Sequence, residues 1–348
     1  METISEGSFS YWLQFFAVSA LIVYTGINLS RYGDVIAEKT GIGRAWVGLV
    51  MLAGVTSLPE LITGISAVAI VGAPDIAIGD IMGSCVYNLA IIALLDYMNG
   101  KESIFKGVGR THLVSSAYGI LLLVTALFSM LMASYIPVIS VGVVIGLYGP
   151  VIAVMYVIGV RAVYFYEKRL VIEAAEEATK VFHYKGVTLK KALVLYSVNA
   201  LVLVVSAARL PFIAEMIALT TGLGESFMGS VFVAMTTSLP EVVVSIGALR
   251  IGAQDMAVAN MLGSNMFNIF ILFIDDLFYT KGALLRDISI AHSVTAFIAI
   301  LMTVVVLIGL VYRPPVTHTG KKAMSLSYYS MLLVSFWLLS IVSSFLMS

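Results

Sequence analysis

The chain has 348 residues, of which 60% are hydrophobic and 11% charged, and its 20 Lys and Arg balance 20 Asp and Glu. Soluble proteins carry about 25% charged residues, so the composition excludes an ordinary soluble domain and predicts a polytopic membrane protein. The zero net charge gives no indication of a nucleic-acid partner. A single cysteine, Cys85, excludes an internal disulfide. The acidic residues 1–10 lack the basic region of a signal peptide.

Ten apolar segments approach the length of about 20 residues that a helix needs to cross a bilayer. We therefore expect an all-α membrane protein with ten transmembrane helices. In chain order the predicted spans are Tyr11–Asn28, Ala45–Val71, Ile76–Met98, Leu113–Ala133, Ile136–Tyr164, Ala192–Ala208, Ser226–Leu249, Met256–Tyr279, Ile288–Tyr312 and Leu326–Leu346.

The distribution of basic residues supports this count. If the N-terminus is outside, 17 of the 20 Lys and Arg residues fall on the cytoplasmic side, and only Arg209, Lys281 and Arg286 lie outside. Membrane proteins concentrate Lys and Arg in their cytoplasmic loops. The sequence therefore predicts that the N-terminus and the C-terminus both lie outside.

One long polar segment divides the chain after five spans. We predict a first five-helix repeat at residues 1–164, a cytoplasmic linker at 165–191 and a second five-helix repeat at 192–348. The basic residues of the linker also allow binding to anionic lipids. A solvated connection between the repeats is the simpler interpretation.

A pentapeptide that contains an acid occurs twice inside apolar segments, as Thr56–Glu60 and as Thr237–Glu241. An acid at the centre of a membrane helix costs roughly 2.5–3.5 kcal/mol and usually marks an ion or proton pathway. Each repeat has an odd number of spans, so the second repeat must enter the membrane in the opposite sense. Inverted repeats of this kind hold their substrate near the middle of the bilayer.

The residues around the two acids are rich in oxygen. Pro59 and Pro240 lack an N–H and are expected to kink or break their helices, which turns backbone carbonyls inward. A proline kink with hydroxyls bonded to the helix is the alternative, but it does not explain two inverted copies with an acid each. Oxygen ligands select hard cations such as Ca²⁺, Na⁺ or Mg²⁺. The candidate ligands are Thr56, Ser57, Glu60, Ser84, Asn88, Thr237, Ser238, Glu241, Ser264 and Asn268.

Asp80 breaks the symmetry of the repeats, because its counterpart is the neutral Asn260. It lies on the same helical face as Ser84 and Asn88. Asp80 is either a third acid or proton acceptor in the ion path, or an acid near the outer mouth that faces water. Three other acids near the ends of their spans are predicted to be interfacial charges, namely Asp96, Asp275 and Asp276.

The repeated motifs read GVTSLPE…GSCVYN and MTTSLPE…GSNMFN. They resemble the two alpha-repeats of the sodium/calcium exchanger family, within the calcium:cation antiporter superfamily, whose pattern is G-T-S-x-P-E followed by G-S-N-x-x-N/D. The resemblance implies exchange of Ca²⁺ for Na⁺ by alternating access, without enzymatic activity or a cofactor. It also implies an integral protein of the cell membrane that functions as a monomer.

The resemblance also implies a role for each matching residue. Glu60 and Glu241 would be the central ligands shared by Ca²⁺ and Na⁺. Hydroxyl or backbone oxygens would come from Thr56, Ser57, Thr237 and Ser238, and backbone carbonyls from Ala53 and Ala234. Ser84 and Ser264 would complete flanking Na⁺ sites, and Asn88 and Asn268 would line the middle of the site.

Three departures from the family pattern affect these expectations. Val55 displaces the glycine before the first Thr-Ser pair, and Met235 and Thr236 stand in its place in the second copy, which affects the expected backbone geometry more than the ligands. Cys85 replaces the Asn of the first G-S-N, so a contact that supports the backbone is expected to be missing there. Asn268 stands where K⁺-dependent relatives carry Asp, which argues against K⁺ co-transport.

The main alternative is a proton/calcium antiporter. Relatives of that kind favour a G-N-A-x-E core, which this chain lacks, but protonation of Glu60, Glu241 or Asp80 could replace Na⁺ binding. An intramembrane aspartyl protease needs the motif G-x-G-D. Residues 77–80 read AIGD instead, which disfavours this alternative. A passive cation channel rarely needs inverted broken helices.

Overall fold

The computed structural model describes residues 2–40, 56–100, 102–140, 144–174, 187–250, 252–313 and 327–347. Within these ranges the principal helices are α1 (Glu2–Thr40), α2 (Leu58–Ser66), α3 (Pro74–Asn99), α4 (Thr111–Leu131), α5 (Tyr148–Ala174), α6 (Leu189–Thr221), α7 (Ala234–Arg250), α8 (Gln254–Phe278), α9 (Ala291–Tyr312) and α10 (Tyr328–Leu346). Shorter elements are strands β1 (Val138–Ser140) and β2 (Val144–Gly146), π-helical turns at Ala67–Val71 and Met228–Val233, and single turns at Ile104–Gly107, Glu225–Phe227 and Leu284–Arg286.

Nine helices in the described part of the chain are long and apolar enough to cross a membrane. The tenth, α2, continues into its π-helical turns as a shorter apolar segment, Leu58–Val71. Residues 45–55 of the second predicted span lie outside the described residues. The prediction of an all-α polytopic membrane fold is confirmed, while the outside location of both termini stays a prediction.

The prediction of one span over Ile136–Tyr164 is wrong at its beginning. Strands β1 and β2 pair in antiparallel register, with Ile139 opposite Ile145, and α5 begins only at Tyr148. The segment is dense in β-branched residues, which favour strands, and Pro137 disfavours a continuous helix. Apolar character alone did not distinguish a short hairpin from the first turns of a helix.

Several helices extend beyond the apolar spans that predicted them. Helix α1 covers Glu2–Thr40, and α6 covers Leu189–Thr221 with Pro211 inside it. Helix α5 continues to Ala174, so the first part of the predicted linker is helical. Hydropathy finds the stretch that lies in lipid, whereas a helix continues into polar sequence as long as its backbone bonds are made.

The four helices that carry the repeated motifs, α2, α3, α7 and α8, pack against one another at the centre. Helices α1 and α6 pack along each other, and each also packs on the motif helix of the opposite repeat, α1 on α7 and α6 on α2. Two α2 hydroxyls bond to α6 carbonyls, Thr63 to Ala207 and Ser66 to Ala208.

Glycines bring α3 into backbone contact with the segment that precedes α7. A Cβ atom at Gly79 would lie 2.9 Å from Gly229 Cα, and one at Gly83 would lie 2.7 Å from Ala234 Cβ. Real Cβ atoms do not approach other atoms this closely, so both positions require glycine. This close approach sets the distance between the polar residues of α3 and those of α7.

Candidate cation site between the repeats

The two glutamates are held by serines of the opposite repeats. Ser57 Oγ donates to Glu241 Oε1 at 2.9 Å, and Ser238 Oγ donates to Glu60 Oε1 at 3.3 Å. All four side chains are at most 1% exposed. The two predicted motifs therefore meet at one place, related by the symmetry of the repeats.

The start of α2 explains the position of Glu60. Pro59 lies in the first turn, where its missing N–H costs nothing, and Glu60 lies in the same turn, where the helix dipole favours a negative charge. Ser57 is the N-cap residue but makes no capping bond with its side chain. Its hydroxyl instead bonds to Glu241 of the other repeat.

The second motif differs, and the break predicted at Pro240 is not observed. Pro240 lies inside the continuous helix α7, and the departure from α geometry comes earlier, in the π-helical turns Met228–Val233. The proline ring packs against α1, where a Cβ atom at Gly26 would lie 2.6 Å from Pro240 Cγ.

Helix α3 contributes Asp80 and Ser84 to the same place. Thr237 Oγ1 donates to Asp80 Oδ1 at 2.8 Å, and the hydroxyl oxygens of Ser238 and Ser84 lie 2.9 Å apart. Ser84 Oγ also lies 3.5 Å from the carbonyl oxygen of Ala234, and a role of this carbonyl as an ion ligand stays a prediction. Asp80 is fully buried, so the interpretation as an acid at the outer mouth facing water does not hold.

The second repeat forms the matching contacts with a neutral residue. Thr56 Oγ1 donates to Asn260 Oδ1 at 3.5 Å, which mirrors the bond from Thr237 to Asp80. Asn260 Nδ2 donates to Ser245 Oγ at 3.1 Å. The two halves share this geometry, but only one of them carries an acid at this position.

We refer to these polar side chains together as the central cluster. Every member is at most 2% exposed. The members are Thr56, Ser57, Glu60, Asp80, Ser84 and Asn88 from the first repeat, and Thr237, Ser238, Glu241, Asn260, Ser264 and Asn268 from the second. Hydrogen bonds across the repeats connect Ser57 with Glu241, Ser238 with Glu60 and Ser84, and Thr56 with Asn260. Asn88, Ser264 and Asn268 are buried on the same helices α3 and α8, and Ala53 lies outside the described residues.

Several polar atoms of the central cluster are buried without a hydrogen-bond partner in the described part of the chain. They are Glu60 Oε2, Asp80 Oδ2, Glu241 Oε2, Ser264 Oγ and both amide atoms of Asn88 and Asn268. Buried polar groups in folded proteins are nearly always paired, so such a concentration requires an explanation. Among the described residues no three His, Cys, Asp or Glu side chains form a metal-binding group. Hydroxyl, amide and carboxylate oxygens suit alkali and alkaline-earth cations instead.

Cys85 and its counterpart Asn265 contact each other where α3 and α8 cross. Asn265 Nδ2 donates to the carbonyl oxygen of Cys85 at 3.1 Å, and Cys85 Sγ lies 3.9 Å from the carbonyl oxygen of Asn265. The amide of the second repeat supports the backbone of the first. The thiol forms only a long contact in return.

The sequence analysis missed two pairs of side chains that join helices at opposite ends of the molecule. Asp75 Oδ1 lies 2.8 Å from His292 Nε2, and Asp255 Oδ1 lies 2.9 Å from His112 Nε2. The two aspartates, Asp75 and Asp255, are 180 residues apart, and so are the two histidines, His112 and His292. Aligning the two repeats with the offset of the motifs shows that both repeats carry this aspartate and this histidine, which is the signal in the sequence for these pairs.

The prediction that Asp96, Asp275 and Asp276 are interfacial charges is wrong, because all three are at most 3% exposed. Asp96 Oδ1 accepts a bond from the N–H of Ile104, and Asp276 Oδ1 accepts one from the N–H of Leu284. Such aspartates satisfy backbone donors at the ends of helices and turns, which allows them to be buried.

This fold and this buried oxygen cluster define a membrane transporter built from two inverted repeats. The model of the sodium/calcium exchanger protein family matches residues 10–165 and 191–347. The chain therefore belongs to the sodium/calcium exchanger protein family, and the resemblance found in the motifs is confirmed. It is an integral membrane cation antiporter of the kind that moves Ca²⁺, in a family of exchangers and not of enzymes.

Individual relatives agree with this assignment. An uncharacterized membrane protein of Methanocaldococcus jannaschii is 26% identical over 73% of this chain and 78% of its own length. The inner membrane protein YrbG of Escherichia coli is 24% identical over 81% of this chain and 85% of its own length. The sodium/calcium exchanger MaX1 of Methanosarcina acetivorans is 35% identical, over 28% of this chain and 27% of its own.

A solved structure of the sodium-calcium exchanger NCX_Mj, soaked with Na⁺ and Sr²⁺, has the same fold. It superposes with a TM-score of 0.59 at 21% identity, covering 97% of this chain and 98% of its own. At this identity the similarity concerns the fold alone.

Proposed function

We propose that the chain exchanges Ca²⁺ for Na⁺ by alternating access to the central cluster. The observation that carries this proposal is the reciprocal bonding of Ser57 to Glu241 and of Ser238 to Glu60. Each serine satisfies one carboxylate oxygen and leaves the second without a donor in the described part of the chain. A buried charge is tolerated when it is paired, and a bound cation is the partner that these oxygens suit.

Charge balance supports Ca²⁺ as one substrate. Glu60 and Glu241 together carry a charge of −2 when ionised, which one Ca²⁺ neutralises. More than two Na⁺ in the same place would leave the loaded site positive. The ligands proposed around the ions are the carboxylates of Glu60 and Glu241, the hydroxyls of Thr56, Ser57, Ser84, Thr237, Ser238 and Ser264, the amides of Asn88 and Asn268, and the carbonyls of Ala53 and Ala234.

The packing of α1 and α6 supports a sliding movement. The two helices lie along each other and each covers the motif helix of the opposite repeat. A concerted shift of this pair across the core would open the central cluster to one side and then to the other. An empty cluster with two unpaired buried charges should resist that shift, because burying unpaired charge is costly. Exchange is thereby favoured over leak.

Proton/calcium antiport is the second candidate function, and Asp80 favours it. This third acid is fully buried and keeps Oδ2 without a donor in the described part of the chain. A proton on a carboxylate of the central cluster could replace Na⁺ as the counter-substrate.

The cellular setting is also part of the proposal. We infer residence in the cell membrane, or the inner membrane of a bacterium, with both termini outside and a monomer as the functional unit. The relation to an inner membrane protein of Escherichia coli supports this location.

Transport into proteoliposomes tests the proposal. Purified protein is reconstituted, and uptake of radioactive Ca²⁺ is measured under an outward Na⁺ gradient, an outward proton gradient or neither. Uptake driven by Na⁺ at constant pH supports Na⁺/Ca²⁺ exchange. Uptake driven only by the proton gradient favours the second candidate, and no uptake under either gradient contradicts both.

A further inference from the structure

Asp275 of α8 is fully buried, and neither of its carboxylate oxygens has a hydrogen-bond partner in the described part of the chain. The neighbouring residue Asp276 is also buried, but its carboxylate oxygens have hydrogen-bond donors. Asp276 accepts bonds from Gly146 N, Leu284 N and the hydroxyl of Tyr148. An isolated ionised carboxylate in such surroundings costs several kcal/mol, so the charge of Asp275 must be neutralised in another way.

Asp275 lies close to the central cluster but outside it. Asn268 and Asp275 are seven residues apart on α8, hence on the same helical face, about 10 Å apart along the axis. On the facing helix α2, a Cβ atom at Gly64 would lie 2.7 Å from Asp275 Oδ1. Gly64 is one helical turn from Glu60. The carboxyl group therefore lies between the central cluster and the end of α8.

No charged neighbour among the described residues neutralises an ionised Asp275 carboxylate. Among the described residues no Lys, Arg or His forms an ion pair with it. Its nearest electrostatic neighbours are acids, Asp80 on α3 and Asp276 on α8.

Several other titratable groups on packed elements have partners of their own. Arg286 donates to the carbonyl oxygens of Ala133 and Ile136. On α4, His112 pairs with Asp255. On α7, Glu241 accepts from Ser57, and on α2, Glu60 accepts from Ser238. On α5, Tyr148 donates to Asp276, and Tyr156 stacks on Phe270.

The repeat symmetry shows that the acid is not needed for packing. The counterpart of Asp275, 180 residues earlier, is Leu95, which is equally buried. The counterpart of Asp80 is the neutral Asn260. Both extra acids therefore lie in the half of the core near the beginning of α3 and the end of α8.

A proton neutralises such a group better than a metal ion does. Ca²⁺ takes six to eight oxygens, and the described part of the chain brings no hydroxyl or amide into contact with Asp275. A proton needs no further ligand, and burial away from donors favours the neutral acid.

We propose that Asp275 is a proton-binding site separate from the central cluster, present in one repeat only, and that its protonation regulates transport. Loss of the proton puts a negative charge about one helical turn from Glu60, which strengthens the hold on the cation and hinders its release. The regulatory part rests on the proposed function, whereas proton binding at Asp275 does not.

Infrared difference spectroscopy of the purified protein tests proton binding without any transport. The carbonyl stretch of a protonated carboxyl group is followed from acid to alkaline pH in wild type, D275N and the surface control E102Q, whose side chain is 57% exposed in wild type. We expect one protonated carboxyl band that is absent from D275N and present in E102Q. A D275N spectrum identical to wild type at every pH would overturn the proposal, since Asp275 would then be ionised throughout.

Uptake assays test the regulatory part. D275N mimics the protonated acid, and D275L reproduces Leu95 of the other repeat, so one of the two should fold even if the other does not. We expect Ca²⁺ uptake to vary severalfold less with pH in either variant than in wild type. An unchanged pH profile in a folded variant overturns regulation by Asp275. If wild type moves no Ca²⁺ at all, the proposed function and its regulation fail, while the infrared result still decides proton binding.

Discussion

At the scale of single residues, the serine–glutamate pairs place the two oxygens of each carboxylate in different environments. Oε1 of Glu60 or Glu241 accepts from a serine of the opposite repeat, whereas Oε2 has no donor in the described part of the chain. The serine orients the carboxylate, and the second oxygen is left for an ion. Because each serine belongs to the other repeat, a shift of one repeat changes the environment of both acids.

Replacing either acid by its amide tests this arrangement. E60Q and E241Q should each lower Ca²⁺ uptake by more than about tenfold, since the interaction of a buried carboxylate with Ca²⁺ exceeds about 1.4 kcal/mol. The amides have the same size, so the melting temperature of the purified variants should stay near that of wild type. The surface variant E102Q is the control. Uptake near the wild-type rate in either E60Q or E241Q would contradict a shared site.

Asp80 adds a third charge to one side of the central cluster. D80N reproduces the chemistry of its counterpart Asn260 and can still accept the bond from Thr237. We expect the apparent Ca²⁺ affinity to fall severalfold, because a charge near but not on the ion contributes about 1 kcal/mol, while turnover persists. Uptake measured against Ca²⁺ concentration gives the affinity. An affinity equal to that of wild type would show that the charge of Asp80 does not act on the ion.

At the scale of helices, the contact between α3 and the start of α7 controls the geometry of the site. Gly79 and Gly83 allow the backbones to touch, which brings Ser84 to Ser238 and Asp80 to Thr237. These hydrogen bonds are 2.9 and 2.8 Å long, so a small separation of the helices would break them.

A larger side chain at Gly83 tests this contact. G83V should destabilise the protein by about 1–3 kcal/mol, the usual cost of overpacking, and should lower Ca²⁺ uptake by more than the fraction of protein that unfolds. The matched control is G247A in α7, because a Cβ atom at Gly247 has nothing within 4 Å. G247A should be neutral or slightly stabilising in thermal unfolding. If G83V and G247A behave alike, the close approach of α3 is not important.

At the scale of the whole molecule, the charge of the cluster and the pairing of α1 with α6 act together. In the proposed cycle, the helix pair moves only when the cluster that it covers is neutralised, because unpaired charge is costly to bury. The histidine–aspartate pairs at opposite ends join α3 to α9 and α8 to α4. In the proposed alternating-access cycle, helices α3, α4, α8 and α9 would form the frame against which α1 and α6 slide.

Voltage dependence tests the charge carried in each cycle. If more than two Na⁺ exchange for one Ca²⁺, each cycle moves net charge, which experiences about 2.3 kcal/mol per 100 mV. Ca²⁺ uptake into proteoliposomes clamped with K⁺ and valinomycin should then change with the imposed potential. A clamp at zero potential is the control. Ca²⁺ uptake that does not change with the imposed potential but increases with a pH gradient would favour electroneutral exchange with protons.

The sequence by itself determined the class of the protein, the arrangement as two inverted repeats and nearly the whole central cluster. These features have local signals: apolar length for spans, and the same acid, proline and hydroxyls 181 residues apart for the site. It also predicted the family, because two linked motifs recur at matching spacing.

Only the tertiary structure decided which partner each polar group has. The burial of Asp80 and Asp275 and the bond between Ser57 and Glu241 depend on helices that are far apart in the chain. Hydropathy treats every acid near a helix end alike, yet Asp276 accepts from backbone donors while Asp275 has no hydrogen-bond partner in the described part of the chain. The difference arises because burial and pairing are properties of the space between helices, which no single segment specifies.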